Sequence, residues 1–218
     1  MPDVAAFDLD GTLTEGGSTF AFLTAVAGTR AVSAAVIALA PRLAHAAVVG
    51  GSVADTTKEQ LFGRVLAGVT VDRLDQVSRT FAADHVDQHL RSDVFRRYAW
   101  HQRRGDHLVI VSASLHSYVR CIGELLDADQ VLATRLAVEE GRLTGQYQGH
   151  NCRGEEKLRR LQEWTDLLGE DTPRLWAYGN SRGDLRMLRA ADVGVNVGRL
   201  GRWGKLSAFP GLAGSAGG

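Results

Sequence analysis

The run Val4-Ala5-Ala6-Phe7 is wholly apolar and empties directly into Asp8-Leu9-Asp10-Gly11-Thr12. A short, unbroken apolar run closed by a Gly-Thr turn predicts a strand buried on both faces, as in parallel sheets. Side chains alternate along a strand, so Asp8 and Asp10 would share one face if the strand continued, but a turn at Gly11 lets the second carboxylate swing round. Two carboxylates at such a strand end can hold a divalent cation and leave one group to attack while the other handles protons.

The same pattern recurs twice. His107-Leu-Val-Ile-Val-Ser112-Ala113-Ser114 is an apolar run ending in small hydroxyl residues, and Leu175-Trp-Ala-Tyr-Gly179-Asn180-Ser181-Arg-Gly183-Asp184 leads through a glycine turn to an acid and a helix. Ser112 at its strand end reads either as an anion ligand, helped by the amides of the next helix, or as a plain helix cap. Asn180 reads as a neutral oxygen ligand for a hard cation or as a turn residue, and Asp184 as a ligand or as a helix cap. Between these units, Cys152-Arg153-Gly-Glu-Glu-Lys157 opens a helix marked by Leu158 and Leu161, followed by Leu168. For either cation of that segment a solvated face is the default, unless a dianion and a carboxylate share its pocket.

In this order the four motifs resemble those of the haloacid dehalogenase-like superfamily, most of whose members are magnesium-dependent phosphatases. The resemblance implies a Rossmann-like, three-layer α/β/α core with a parallel sheet and an inserted helical cap. It implies that Asp8 attacks phosphorus, that Asp10 protonates the leaving oxygen, and that water then hydrolyses an aspartyl-phosphate with Asp10 as base. Ser112 and Ala113 would bind the phosphoryl group. The cation that steadies it is taken as Lys157, on the Cys-x-Gly-x-x-Lys pattern of phosphatidylglycerophosphatase-like relatives, with Arg153 as the alternative if the Gly-Glu pair of the phosphoserine phosphatases is aligned. Mg²⁺ would be held by Asp8, the Asp10 carbonyl, and Asn180 or Asp184. Asn180 departs from the family pattern, which places an acid there.

Residues 15–105 contain no convincing strand. Leu61, Phe62, Val65 and Leu66 form one apolar face at helical spacing, and Leu74, Val77 and Phe81 form another. A core over 1–14 and 106–210, a helical cap over 15–105 and a flexible Gly-rich tail over 211–218 are therefore expected. In the cap, Lys58 and Arg64 are candidates to contact an anionic leaving group, with ordinary solvated charges as the alternative. Arg64-Val65 resembles an Arg-Val helix of the phosphoserine phosphatases. The Glu that those enzymes use for the substrate amine has no counterpart, since Gly17 stands at its position. Thr134 to Gly145 nevertheless resembles that branch, and Val131 to Val138 with Arg142 to Tyr147, flanking Glu139-Glu140-Gly141, read as a hairpin or meander at the sheet edge.

Ala31 to Val49 is almost wholly apolar, but Pro41, Arg42 and His45 interrupt it, so a pair of cap helices is expected rather than a membrane span. Peripheral contact with a membrane stays open. There the acyl chains of a lipid phosphate would approach. The chain of 218 residues balances 25 basic against 25 acidic residues, so no overall field gathers nucleic acid. Cys121 and Cys152 are widely separated and lack a metal or redox spacing; with no signal-peptide pattern at the start, a cytoplasmic location is expected. The expected partner is a small phosphate ester, either a phosphorylated metabolite or a lysolipid or lipid phosphate. Two other classes fit the motifs less fully: an impaired, phosphate-binding relative, motivated by Asn180, and a phospho-accepting signalling domain. Oligomeric state is left open by the sequence.

Overall fold

The computed structural model describes residues 2–169, 173–198, 206 and 208–215. Its sheet has five parallel strands in the order β3-β2-β1-β6-β7, where β1 is Val4–Phe7, β2 His107–Leu115, β3 Gln130–Thr134, β6 Leu175–Gly179 and β7 Val193–Asn196. The apolar run at the start of the chain thus becomes the central strand. Val4 pairs with both His107 and Leu175, which brings the carboxyl ends of β1, β2 and β6 side by side. Ligands of open α/β sheets bind at such carboxyl ends.

Alternation along the buried strands splits the core into two layers. Ala5 and Phe7 face a cluster with Ile110, Tyr178 and the helices α4 (Ser92–Arg104) and α5 (His116–Leu125). Val4 and Ala6 face Val109, Val111, Ala177, Leu161 of α6 (Glu155–Asp166) and Met187 of α7 (Leu185–Ala190). This is the three-layer α/β/α arrangement implied by the family resemblance.

The insertion after β1 is helical throughout, comprising α1 (Thr19–Val49), α2 (Gly51–Leu66) and α3 (Val71–His89) before α4. Leu61, Phe62, Val65 and Leu66 are all buried, as their spacing predicts. The boundary at 105 needs adjusting, because α4 packs on the sheet. The Tyr98 ring lies 5.1 Å from Phe7, and His101 bridges the Tyr178 hydroxyl and the Asp106 carboxylate at 2.8 Å each. Helical periodicity shows that a helix has a buried face but not which layer covers it.

The hairpin also differs from expectation. Strands β4 (Leu136–Glu139) and β5 (Arg142–Tyr147) form a separate two-stranded sheet, not the edge of the main one. It lies against α2 so closely that a Cβ on Gly145 would sit 2.4 Å from the Gly63 Cα, and Gly145 has φ of +82°. Two glycines let these backbones touch. The cap is therefore built from two distant pieces of chain. Of the tail expected over 211–218, Leu212–Ser215 forms a short 3₁₀ helix; residues 216–218 lie outside the described residues.

Helix α6 is held by its first turn. The Glu156 carboxylate accepts from Arg159 Nη2 at 2.7 Å and Arg160 Nε at 2.6 Å, while Arg160 also donates to the carbonyls of Ala133 and His150. Hydrogen bonding from Arg159, then Arg160, holds the Glu156 carboxyl at about 2, below its ordinary 4.5. A depressed carboxylate stabilises the fold above its unfolded value and loses that contribution as pH falls through its folded value. Glu156→Gln is expected to lower stability at pH 7 by about 1–2 kcal/mol, discounted for the exposed Arg159. Urea unfolding of both proteins should show this gap closing as pH is lowered from about 4.5 towards 2.

Candidate active site

Asp8 follows the last residue of β1, and its amide donates to the Tyr178 carbonyl at 3.0 Å, continuing the ladder with β6. The chain then turns through Gly11, whose φ is +77°. A Cβ there would stand 2.0 Å from Asn180 Nδ2, so both the backbone angle and the space demand glycine. Thr12 Oγ1 donates to Asp8 Oδ2 at 3.0 Å. Below the turn, the buried Arg91 donates from Nη1 to the carbonyls of Gly11 at 2.8 Å and Val197 at 2.9 Å.

Lys157 projects from the first turn of α6 and is fully enclosed, with 2% of its surface exposed. Its Nζ donates to Asp8 Oδ1 at 2.5 Å and to Asp184 Oδ1 at 2.7 Å. One cation thus serves two carboxylates, leaving a buried excess of negative charge. Burial pushes the Asp8 carboxyl up to about 7, repulsion from Asp184 adds to this, and Lys157 opposes both. Burial alone would pull the Lys157 ammonium down, but Asp184 and Asp8 together hold it above its ordinary value.

Asp184 has a second task. Its Oδ2 accepts from the amides of Asn180 and Ser181 and from Ser181 Oγ, closing a capping box over the 3₁₀ turn Arg182–Asp184. The carboxylate of Asp184 thus reaches back over the 3₁₀ turn and does not cap α7, the helix that follows it, while its other oxygen meets Lys157. Asn180 does not take up left-handed backbone, since Asp127 and Glu140 are the only non-glycine residues with positive φ among the described residues. Its Oδ1 is buried and has no hydrogen-bond partner. Leaving a buried acceptor unpaired costs about 1–3 kcal/mol.

Asp10 is held between two partners: the Ser18 amide donates to Oδ1 at 2.8 Å, and Ser114 Oγ donates to Oδ2 at 2.5 Å. Ser18 Oγ lies 3.5 Å from Ser114 Oγ and 2.6 Å from the Tyr118 hydroxyl, so a buried hydroxyl relay runs behind the carboxylate. Strand β2 extends past Ser112 to Leu115, and Ser112 Oγ accepts from the Ser114 amide at 3.1 Å. Ser114, Ser18, Tyr118 and Arg91 are not among the residues singled out by motif. Only Ser114, two residues beyond Ser112 on one face of a strand, carries a local signal.

A cavity of about 120 Å³ collects Asp8, Asp10, Ser112, Ala113, Lys157 and Asp184, together with Lys58, Arg153, Ser114, Ser181 and Gly183. Of the two cations left open by the sequence, Lys157 reaches Asp8. Arg153 stands at the rim, 3.7 Å from Asp55 of α2. Lys58 comes down from the cap and donates to the Ala113 carbonyl at 2.8 Å. Burial lowers its pKa to about 8, against the pull of Asp10 and Asp55. Arg64, in the last turn of α2, is exposed and is not among the residues lining the cavity. Asn180 also lies outside that lining, beneath Gly11.

The oxygen-rich donor set fits a hard divalent cation. Asp8 and Asp184 supply carboxylates, the buried charge excess needs offsetting, and Asn180 Oδ1 is an acceptor lacking a partner. No group of three His, Cys, Asp or Glu residues suited to a metal occurs among the described residues, so Asn180 would have to contribute.

A family model described as haloacid dehalogenase-like hydrolase matches residues 5–189. The chain is 36% identical over 192 residues to Protein CicA of Caulobacter vibrioides, covering 88% of this chain and 84% of that one. It is 34% identical over 86 residues to the phosphoserine phosphatase of Lactococcus lactis, covering 39% and 40% of the two chains. A crystal structure of a protein of unknown function from Bordetella pertussis superposes with a TM-score of 0.76 over 90% of each chain, at 22% identity. The chain belongs to the haloacid dehalogenase-like hydrolases.

Proposed function

We propose that the protein is a Mg²⁺-dependent phosphomonoester hydrolase acting through an aspartyl-phosphate. The observation that carries this reading is the meeting of Asp8, Asp10, Ser112 and Lys157, drawn from three separate stretches of chain, in one small cavity. Asp8 is the nucleophile, and Lys157 orients its carboxylate and offsets the charge of the incoming phosphate. Ser112 and the Ala113 backbone bind phosphoryl oxygens. Asp10, fixed by Ser18 and Ser114, delivers a proton to the leaving oxygen and then takes one from the attacking water. Asp8, the Asp10 carbonyl, Asn180 and Asp184 would hold the Mg²⁺, which when bound supplies charge neutralisation between nucleophile and phosphate.

Asp8→Asn is expected to abolish hydrolysis of an aryl phosphate while leaving the melting transition in place. Chelation with EDTA should do the same to the unaltered protein, and added Mg²⁺ should restore turnover. Undiminished turnover in the Asp8 variant would remove that residue from the nucleophile role.

Asn180→Asp adds a carboxylate to the proposed cation site. Half-maximal activity is expected at roughly tenfold lower Mg²⁺, from the stronger attraction of a charged oxygen ligand. A phosphate-binding relative without catalysis would turn over in neither form at any Mg²⁺ concentration. A signalling domain would keep its phospho-aspartate for minutes or longer.

The substrate is a small phosphorylated metabolite or a lipid phosphate. Lys58 faces the leaving group in this reading and supplies a cation to an anionic substituent there. The Lys58 ammonium is present below about 8 and lost above it. For a leaving group that bears an anion, KM should therefore rise between about pH 7.5 and 9 in the unaltered enzyme. Lys58→Arg, which stays charged, should flatten that rise when steady-state kinetics are compared across the range.

A further inference from the structure

Helix α1 carries a surface that the catalytic reading does not use. It is the one helix among the described residues long and apolar enough to cross a membrane, with a mean hydropathy of 1.7 in its most apolar window and only 22% of that window buried. Gly28 has non-helical φ and ψ, which separates the first turns from the long arm beyond. Along that arm Val32, Ala35, Leu39 and Ala46 face inward and are buried. Ala34, Ile37, Pro41, Ala44 and Val48 recur at three- and four-residue steps on the opposite side, and all five are exposed. Ile37 is 75% and Val48 85% exposed, and Val49 at the tip is 53% exposed.

The charges carried by α1 itself are of one sign. Between Glu15 and Asp55 the chain has no Asp or Glu, whereas it has Arg30, Arg42 and His45. The overall neutrality of the protein therefore conceals a local positive, apolar arm. Arg42 and His45 line a groove of about 490 Å³ between α1 and α2, together with Val53, Thr57 and Gln60, the last accepting from Arg42 at 2.9 Å.

We propose that this face of α1 lies in the interface of an anionic lipid bilayer, with the tip of the α1/α2 hairpin at the headgroups. The apolar stripe supplies buried area, and Arg30 and Arg42 supply attraction to lipid phosphates. The helix lies on the membrane and does not cross it, because Val32, Ala35, Leu39 and Ala46 remain packed in the protein. A second copy of the chain fits less well. A two-fold contact would set Arg30 and Arg42 against a copy of a helix that offers no acid of its own. Lys58 of the cavity is seven residues along α2 from Gly51, about 10 Å at the helical rise, so a docked hairpin would hold the cavity near headgroup depth. The proposal does not depend on phosphatase activity.

Co-sedimentation of the full chain with vesicles tests it. Binding is expected to equimolar phosphatidylglycerol and phosphatidylcholine, weakened severalfold by raised salt and by Arg30→Gln with Arg42→Gln. Ile37→Asp with Val48→Asp should weaken binding at least tenfold, with melting temperature and aryl phosphate turnover unchanged. Should that pair unfold the protein, Ala44→Glu on the same face replaces it, with the same expected loss. Asp8→Asn should bind vesicles as well as the unaltered chain, which separates docking from catalysis. Absence of vesicle binding, equal binding by the apolar-face variants, or a concentration-dependent dimer that Ile37→Asp and Val48→Asp dissolve would each overturn the proposal.

Discussion

A single buried ammonium between two carboxylates organises this protein. Lys157 is almost without solvent, and its contacts to Asp8 and Asp184 tie the first turn of α6 to the ends of β1 and β6. Removing one member of such a buried set leaves a charge unpaired and costs about 3–5 kcal/mol. The triad is also incomplete electrically, since one cation faces two anions. Burial raises the Asp8 carboxyl, and repulsion from Asp184 adds to that rise. A site short of positive charge stays poised to take up more.

The framework around the triad spends side chains on holding loops in place. Asp184 divides its two oxygens between Lys157 and the turn that follows β6. Arg91 reaches from the end of the cap insertion to pin the carbonyls of Gly11 and Val197. The relay from Tyr118 through Ser18 and Ser114 performs the same service for Asp10. The contacts of Arg91 and the relay from Tyr118 to Asp10 span 80 to 106 residues of chain, so the geometry of the cavity depends on the whole core being folded.

The cap is a composite of two segments. Helices α1 to α3 come from the insertion after β1, and the β4–β5 hairpin comes from beyond β3, joined to α2 where Gly145 meets Gly63. Further links run through Asp55 of α2, which accepts from Asn151 Nδ2 at 2.6 Å and lies near Arg153. Lys58 on the same helix reaches the Ala113 carbonyl. The cap is thus tied to both the carboxyl end of β2 and the start of α6.

Much of this was legible in the chain itself. Val4–Phe7, the run from His107 and the run from Leu175 are short and apolar because parallel strands are buried on both faces, and each announces the polar residues at its end. Local spacing therefore placed Asp8, Asp10, Ser112 and Asp184 at strand ends and the turns after them, and the resemblance carried by those motifs implied the fold class. Other features depend on which surfaces meet. Choosing Lys157 over Arg153 for contact with Asp8, placing α4 on the sheet, detaching the hairpin from the sheet edge, and leaving Arg64 outside the cavity were decided by packing between segments remote in sequence. So were the unpartnered Asn180 oxygen and the bare outer face of α1. Helical periodicity declares that a face is apolar, and only tertiary structure decides whether anything covers it.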